Sequence, residues 1–425
     1  MLTSRERVQR TLNHQEPDLV PLDLGGSVLT GMHVDAVYRL RQALGLDEPG
    51  TPVKVIDPYQ MLGEIKLDLA DRLGADIVRL GNPRTMFGFR NENWKPWTTF
   101  AGTPVLVPGG FNTELEPNGD LLLYPEGDKS APPSGIMPAD GFYFDAIVRQ
   151  PPIDDANLNV EDNVEEFRPI SAADLEYYAA QAERLYTQTD KAILGDFGGT
   201  AFGDIAMVPA AWLKHPRGIR DVAEWYMSAI TRRDYVYAIF ERQCEIGLEN
   251  LAKIYEVVGE KVMVLQVTGT DFGTQNAPFI SPQTYCDLYQ PFHKQVNDWV
   301  HAHTGWKTFI HTDGALMPLM PHFVAAGFDI LNPVQFTAKG MEPETVKAKF
   351  GENLVVWGAG VDTQKVLPFG TPDEVRAQVR ENIRVFAPGG GFVFGTVHNV
   401  QPPTPVENLL AMYETVAEMR AYPIR

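Results

Sequence analysis

A histidine and an aspartate two residues apart, His311 and Asp313, close a short apolar run in the stretch KTFIHTDGAL (307–316). On an extended segment, side chains at i and i+2 point the same way. An imidazole nitrogen and a carboxylate oxygen would then face one point. Both are ordinary zinc donors, and a catalytic zinc takes three protein ligands and keeps one position open. The third ligand must come from elsewhere in the chain. His398 is the strongest candidate, because it too follows an apolar run, 392–394. A plainer reading stands beside this one. His-x-Asp is common by chance, His311 could hydrogen-bond a substrate, and Asp313 could cap the next helix.

Other polar groups gather just past apolar runs. Asp271 and Gln275 flank a glycine turn in TGTDFGTQ (268–275), where they could fix a polar substrate or donate to a leaving group. Helix capping by Thr270 or Asp271 is the bland alternative. Asp196 follows the run 192–195 and joins these two as an expected catalytic residue. Asp23, Arg79, Asn332, Gln335 and Asn399 occupy similar positions and are expected to bind substrate. His293, His301 and His303 fall inside a predicted helix over 282–304, and His322 inside the next; these are expected on the surface or in structural roles. Cys244 and Cys286 lie mid-helix among apolar neighbours, outside any CxxC pattern. They are expected in the core.

Elements must bring these groups together. Apolar runs read as strands at 20–24, 76–80, 192–195, 262–267, 308–310, 330–332, 354–357 and 392–394. Helical periodicity fills the intervals, at 34–44, 59–73, 172–188, 234–258, 282–304, 316–326, 343–350, 373–386 and 405–419. About eight strand–helix units is the (β/α)₈ count, and such a barrel presents its active groups at the strand ends. An open doubly wound sheet is the runner-up, but no GxGxxG turn follows an early strand. Between residues 83 and 169 the helical pattern gives way to prolines, glycines and aromatics, with strands expected at 103–107 and 120–124. Trp94, Trp97, Phe111, Phe142, Tyr143 and Phe144 need somewhere to pack, which points to an inserted β-rich subdomain. Following a strand, it would lie over the active face as a lid on a single-domain chain of 425 residues.

The formal net charge is −19, which argues against nucleic acid or an anionic membrane as partner. Two cysteines are too few for a disulfide framework. The charged, amphipathic start MLTSRERVQRTL does not read as a signal peptide, and no apolar run is long enough to span a bilayer. The expected location is the cytoplasm.

Five stretches taken together resemble the uroporphyrinogen decarboxylase-like superfamily. They are SRERVQRTLNHQEPDLVPLDL, VTGTDFGTQNAPFISPQTY, FIHTDGALMPLMPHFVAAGFDILNPVQ, VVWGAGVDTQKVLPFGTP and FGTVHNVQPPTPVENLLAMYE. The resemblance implies a (β/α)₈ barrel and covers most of the chain outside 83–169. One branch of the superfamily decarboxylates uroporphyrinogen without a cofactor and uses an arginine-bearing N-terminal segment. Here that place reads LDLGGSVLTG (22–31), with no arginine. The other branch moves a methyl group between a small substrate or thiol and a corrinoid protein, with zinc held by an H-x-C pair and a later cysteine. The matching positions are His311, Asp313 and His398, so both cysteines are replaced.

The resemblance therefore implies a bound Zn2+, a small-molecule methyl donor and a corrinoid carried by a partner protein, and it leaves a homodimer open. A His/Asp/His set is harder than a thiolate set and leaves zinc more Lewis-acidic. That suits polarising an ether oxygen better than activating a thiol, so the expected activity is O-demethylation of a methoxylated aromatic. The alternative is a metal-free decarboxylase acting on a smaller acid, in which Asp23, Arg79 and Asp196 would carry more of the work. A non-catalytic ligand-binding barrel is the third reading.

Overall fold

The computed structural model describes residues 1–424. Its centre is a seven-stranded parallel sheet: β1 (Ile77–Gly81), β2 (Ala192–Asp196), β3 (Val264–Thr268), β4 (Lys307–His311), β5 (Ile330–Asn332), β6 (Val355–Trp357) and β7 (Phe392–Val393). Neighbours in this list are neighbours in the sheet. The sheet is curled, in a TIM-barrel-like arrangement. The extended stretch expected at 20–24 runs between its edges. Asp23 N–H donates to Phe394 O (2.8 Å), Phe394 N–H to Pro21 O (2.8 Å), and Asp76 N–H to Leu22 O (2.7 Å).

The strands are nearly continuous apolar runs because both faces are covered. Ile77, Leu194, Val264, Phe309, Ile330, Val355, Trp357 and Val393 form an interior cluster, joined by Val8 and Leu12 of the first helix, Ser4–Leu12. That helix starts in a reciprocal capping box between Thr3 and Glu6. Outside lie the amphipathic helices. The longest, Arg233–Val258, buries Val236, Ile239, Phe240, Gln243, Cys244, Gly247, Leu251, Ile254 and Val258, a three-and-four spacing that makes one stripe. Full burial of each large apolar side chain stabilises by about 1.5–3 kcal/mol.

The expected helix over 59–73 is replaced by a short strand, Leu62–Gly63, and a shorter helix, Leu67–Leu73. Two contacts explain the change. The Asp57 carboxylate accepts from the N–H groups of Tyr59 and Gln60, which starts a turn, and Met61 then adopts φ 50°. The 282–304 helix is also interrupted, by a π-turn at Tyr285–Tyr289. Cys286 consequently lies half-buried with its Sγ 3.2 Å from His322 Nδ1, and only Cys244 is a core residue.

The region from 83 to 169 is β-rich, but its pairing begins upstream. Val53–Asp57 pairs with Leu62–Gly63 and, in parallel, with Pro104–Val107, which pairs in turn with Lys95–Thr98. A separate antiparallel meander joins Thr113–Leu115, Leu121–Leu123, Gly135–Met137 and Asp145–Ala146. The aromatic side chains here pack on one another: Trp97 on Phe111 at 5.3 Å between ring centres, Phe111 on Phe144 at 5.7 Å, and Phe87 on Phe144 at 6.0 Å. Among the described residues no helix is long and apolar enough to cross a membrane.

Candidate functional site

His311 is the last residue of β4 and is 1% exposed. The register pairs it with Asn332 at the end of β5, so the two side chains lie abreast. His311 Nδ1 is 2.7 Å from Asn332 Oδ1, and Asn332 Nδ2 donates to Trp357 O on β6, also at 2.7 Å. That second bond fixes which end of the amide faces the imidazole. The Asn332 oxygen can only accept, so His311 Nδ1 is the donor in that bond, and Nε2 is left for partners on the other side of the ring.

Two loops converge on His311 Nε2. Asp313 Oδ2 lies 3.8 Å from His311 Nε2, and Asp271 Oδ1 lies 4.0 Å from it. The loops are tied together by backbone N–H groups: Asp313 N–H donates to the Asp271 carboxylate (2.9 Å), Phe272 N–H to Thr312 Oγ1 (2.8 Å) and Ala315 N–H to the Thr274 carbonyl (2.8 Å). Glycine is needed at this approach. A Cβ on Gly314, which has φ 97°, would lie 2.5 Å from the carbonyl carbon of Gly273. His398 arrives from the loop after β7, its Nε2 3.9 Å from Asp313 Oδ2 and its ring centre 5.5 Å from that of His311.

One donor atom from each of His311, Asp313 and His398 falls within 4.8 Å of the others. Two further observations bear on whether a cation fits. Asp313 Oδ1 is buried with no hydrogen-bond partner. His311 Nε2 faces two carboxylates, an arrangement that positive charge at that point, whether a proton or a metal ion, stabilises. Two imidazole nitrogens and one carboxylate oxygen also match a zinc donor set. The residues present fit the metal.

The surrounding carboxyls share the same strain. Burial raises the Asp271 carboxyl above the ordinary range, while the nearby His311 pulls the other way. Asp204 is pushed up to about 6, chiefly by burial and then by Asp271. Desolvation holds His398 below the usual imidazole range.

The other expected site residues fall in different places. Asp196 pairs with Arg79 at 2.8 Å. The Arg79 guanidinium lies flat over Gly81, where a Cβ would come within 2.4 Å of its Cζ. Asp23 is 4% exposed and accepts from Trp357 Nε1 (2.7 Å) and Gly26 N–H (2.8 Å). Burial pushes its carboxyl up to about 6. Asn332 and Asn399, expected to bind substrate, have their side chains committed within the protein. Asn399 accepts from Gly31 N–H and donates to Val28 O and Gln60 Oε1, which ties down the loop that carries His398. Gln335 is buried near the end of β5. Gln275 is exposed and reaches Gln364 (3.4 Å) instead of the cluster.

Three residues of the site escape a sequence reading. Asp204 directly follows the glycine-rich loop after β2, and that position is its only signal. Tyr226, whose hydroxyl donates to Asp271 O (3.3 Å) and whose ring stacks on Phe279 (5.2 Å), comes from a helix with no motif. Trp357 looks like the last apolar residue of a strand. Its indole N–H needs an acceptor when buried, and that requirement was the available clue.

A model of the uroporphyrinogen decarboxylase (URO-D) family matches residues 154–419. A uroporphyrinogen decarboxylase of Crocosphaera subtropica is 21% identical over 408 residues, which span 92% of this chain and 98% of that protein. Among solved structures, a methyltransferase from Methanosarcina mazei superposes with a TM-score of 0.55 at 14% identity, covering 98% of this chain and 99% of that one. The structural likeness speaks for a shared fold.

Proposed function

Since this chain belongs to the uroporphyrinogen decarboxylase family, we propose that it is a zinc-dependent methyltransferase within that family, taking a methyl group from a methoxylated aromatic and passing it to a corrinoid carried by a partner protein. The observation that carries the reading is the convergence of His311, Asp313 and His398, with the other Asp313 oxygen buried and without a hydrogen-bond partner. We take the stretch at 20–24 as an eighth strand and the chain as one (β/α)₈ barrel.

Zinc held by these three residues would supply a Lewis acid for an ether oxygen. The chain's own residues would do the rest. Asn332 keeps His311 in one tautomer. Asp271 holds the Asp313 backbone and sets a carboxyl beside the place where a departing oxygen would take up a proton. Tyr226 and Phe279 present stacked aromatic faces next to Asp271, a surface suited to an aryl ring. The β-rich region 83–169 acts in this reading as a lid. Its strap is tied down where Tyr143 donates to Gln401 and where His33 Nε2 meets Phe142 O (3.1 Å).

Decarboxylation remains the second reading, favoured by the family and by the name of the Crocosphaera relative. Against a polycarboxylate substrate stands the scarcity of free arginines. Arg39 is spent on the carbonyls of Pro402 and Thr404, Arg41 on Asp47 and Asp68, and Arg79 on Asp196. The test pairs metal analysis of the purified protein with methyl transfer from a panel of methoxyarenes to a reduced corrinoid protein, followed by the corrinoid spectrum. Stoichiometric zinc with transfer is the expected result. No zinc and no transfer, together with release of CO2 from small acids, would move the assignment to the decarboxylase.

A further inference from the structure

The groups behind His311 form a belt across consecutive strand ends. His311 on β4 bonds Asn332 on β5, Asn332 bonds the Trp357 carbonyl on β6, and the Trp357 indole bonds Asp23 in the 20–24 stretch. Asn332 is fully buried, and none of its side-chain atoms is left without a partner. Its amide is therefore not a substrate contact. It has one orientation open to it, because turning it over would set its NH2 against the His311 nitrogen and its oxygen against the Trp357 carbonyl.

We propose that Asn332 is a positioning residue that selects the Nδ1–H tautomer of His311 and so aims the Nε2 lone pair at Asp313 and Asp271. A free imidazole in water prefers the other tautomer only weakly, so one well-aligned acceptor is enough to decide the equilibrium. A wrong tautomer would turn an N–H toward the carboxylates. It would close His311 to a metal while making a satisfied hydrogen bond, so a binding site would become an inert one without any change of shape. An outer partner of this kind contributes about 10- to 100-fold to the affinity of a metal site. The tautomer assignment stands on hydrogen-bond geometry alone. Its consequence for metal affinity rests on the zinc reading above.

The experiment uses the full chain labelled with 15N-histidine, stripped of metal, at about pH 8.5, above the ordinary imidazole range. Long-range proton–nitrogen spectra distinguish the two tautomers, with His311 assigned by its loss in His311→Ala. Expected is the Nδ1–H form in the wild type and a mixture or the opposite form in Asn332→Ala. Zinc affinity by chelator competition should fall about 10- to 100-fold in Asn332→Ala. An Nε2–H wild type overturns the proposal, as does an Asn332→Ala variant with unchanged tautomer and affinity. A wild type that shows the Nδ1–H form but takes up no zinc supports the proposal and removes the zinc reading instead. The wild-type spectrum requires no variant to fold.

Discussion

Two groups of carboxylates lie at opposite ends of the parallel strands. Asp76, just before β1, is 1% exposed, yet every lone pair has a donor: Ser4 Oγ, the Leu22 N–H, and the guanidinium groups of Arg7 and Arg420. It ties the first helix, the 20–24 stretch and the C-terminal segment to one point. At the other end, Asp313, Asp271 and Asp204 have no arginine or lysine ion-pair partner among the described residues. One Asp313 oxygen has no partner, and burial raises the carboxyls of Asp271 and Asp204. The residue type is the same and the accounting of donors is opposite. A buried carboxylate that the protein satisfies is architecture, whereas one left open is held ready for something the chain does not contain.

The same substitution made at each end should break the molecule in different ways. Asp313→Asn removes a zinc donor while keeping shape. Zinc content should fall to background, and methyl transfer should drop roughly a thousandfold or more, the equivalent of several kcal/mol of Lewis-acid stabilisation. The urea unfolding midpoint should hold, since no hydrogen bond to the Asp313 side chain is lost among the described residues. Asp76→Asn should do the reverse. Leaving Arg7 and Arg420 short of a counter-charge should cost about 3–5 kcal/mol in the same unfolding experiment, with the zinc content of the folded fraction unchanged. If the Asp313 variant unfolds and the Asp76 variant is silent, the division into architecture and site is mistaken.

Asp23 lies between these extremes. It accepts hydrogen bonds from Trp357, Gly26 and Thr30 but has no cationic partner, and burial pushes its carboxyl up to about 6. The fold thus favours the protonated acid. Its contribution to stability is full below the unfolded value near 3.8 and is lost as pH rises through about 6. Asp23→Asn carries no such charge. Its unfolding free energy relative to the wild type should rise by roughly 3 kcal/mol between pH 4 and pH 7, on top of a pH-independent cost because the amide NH2 meets one of the two N–H donors. A gap that does not grow between those values would place a compensating charge beside Asp23.

What could be read from the sequence divides along the same lines. Strand order and the strand-end positions of His311, Asp313 and His398 follow from apolar runs that stop at polar residues, a purely local signal. The role of Asn332 does not. Standing after a strand, it looks like any substrate contact, and only the register that sets it beside His311 gives its amide another task. Asn399 misleads for the same reason, since its partners Gly31, Val28 and Gln60 are more than three hundred residues away in the chain. The lost helix over 59–73 has a different cause. Its periodicity was real, but the turn begun by Asp57 and the left-handed Met61 outweighed a weak local preference.

The smallest expected effect concerns residues 141–146, the strap of the proposed lid. Tyr143 donates to Gln401, Gln401 Nε2 donates to Asn399 O (2.8 Å), and Asn399 follows His398 directly. The strap thereby bears on the loop that carries the third ligand. Tyr143→Phe removes one hydroxyl and leaves the Gln401 oxygen without this donor. Such a bond contributes about 1 kcal/mol net, so amide hydrogen exchange in residues 141–146 should quicken roughly fivefold. Exchange in β4 and β5 should not move, because those strands open only with the whole sheet. Zinc affinity should also stay put, because Asn399 keeps its own three bonds and His398 keeps its place. The Michaelis constant for a methoxyarene would then rise by a similar small factor. An unchanged strap would mean that the backbone bond from Phe144 N–H to Tyr59 O (3.1 Å) and the His33 contact hold it alone. An unchanged strap with a loss of zinc would mean that Tyr143 supports the ligand loop instead of covering the site.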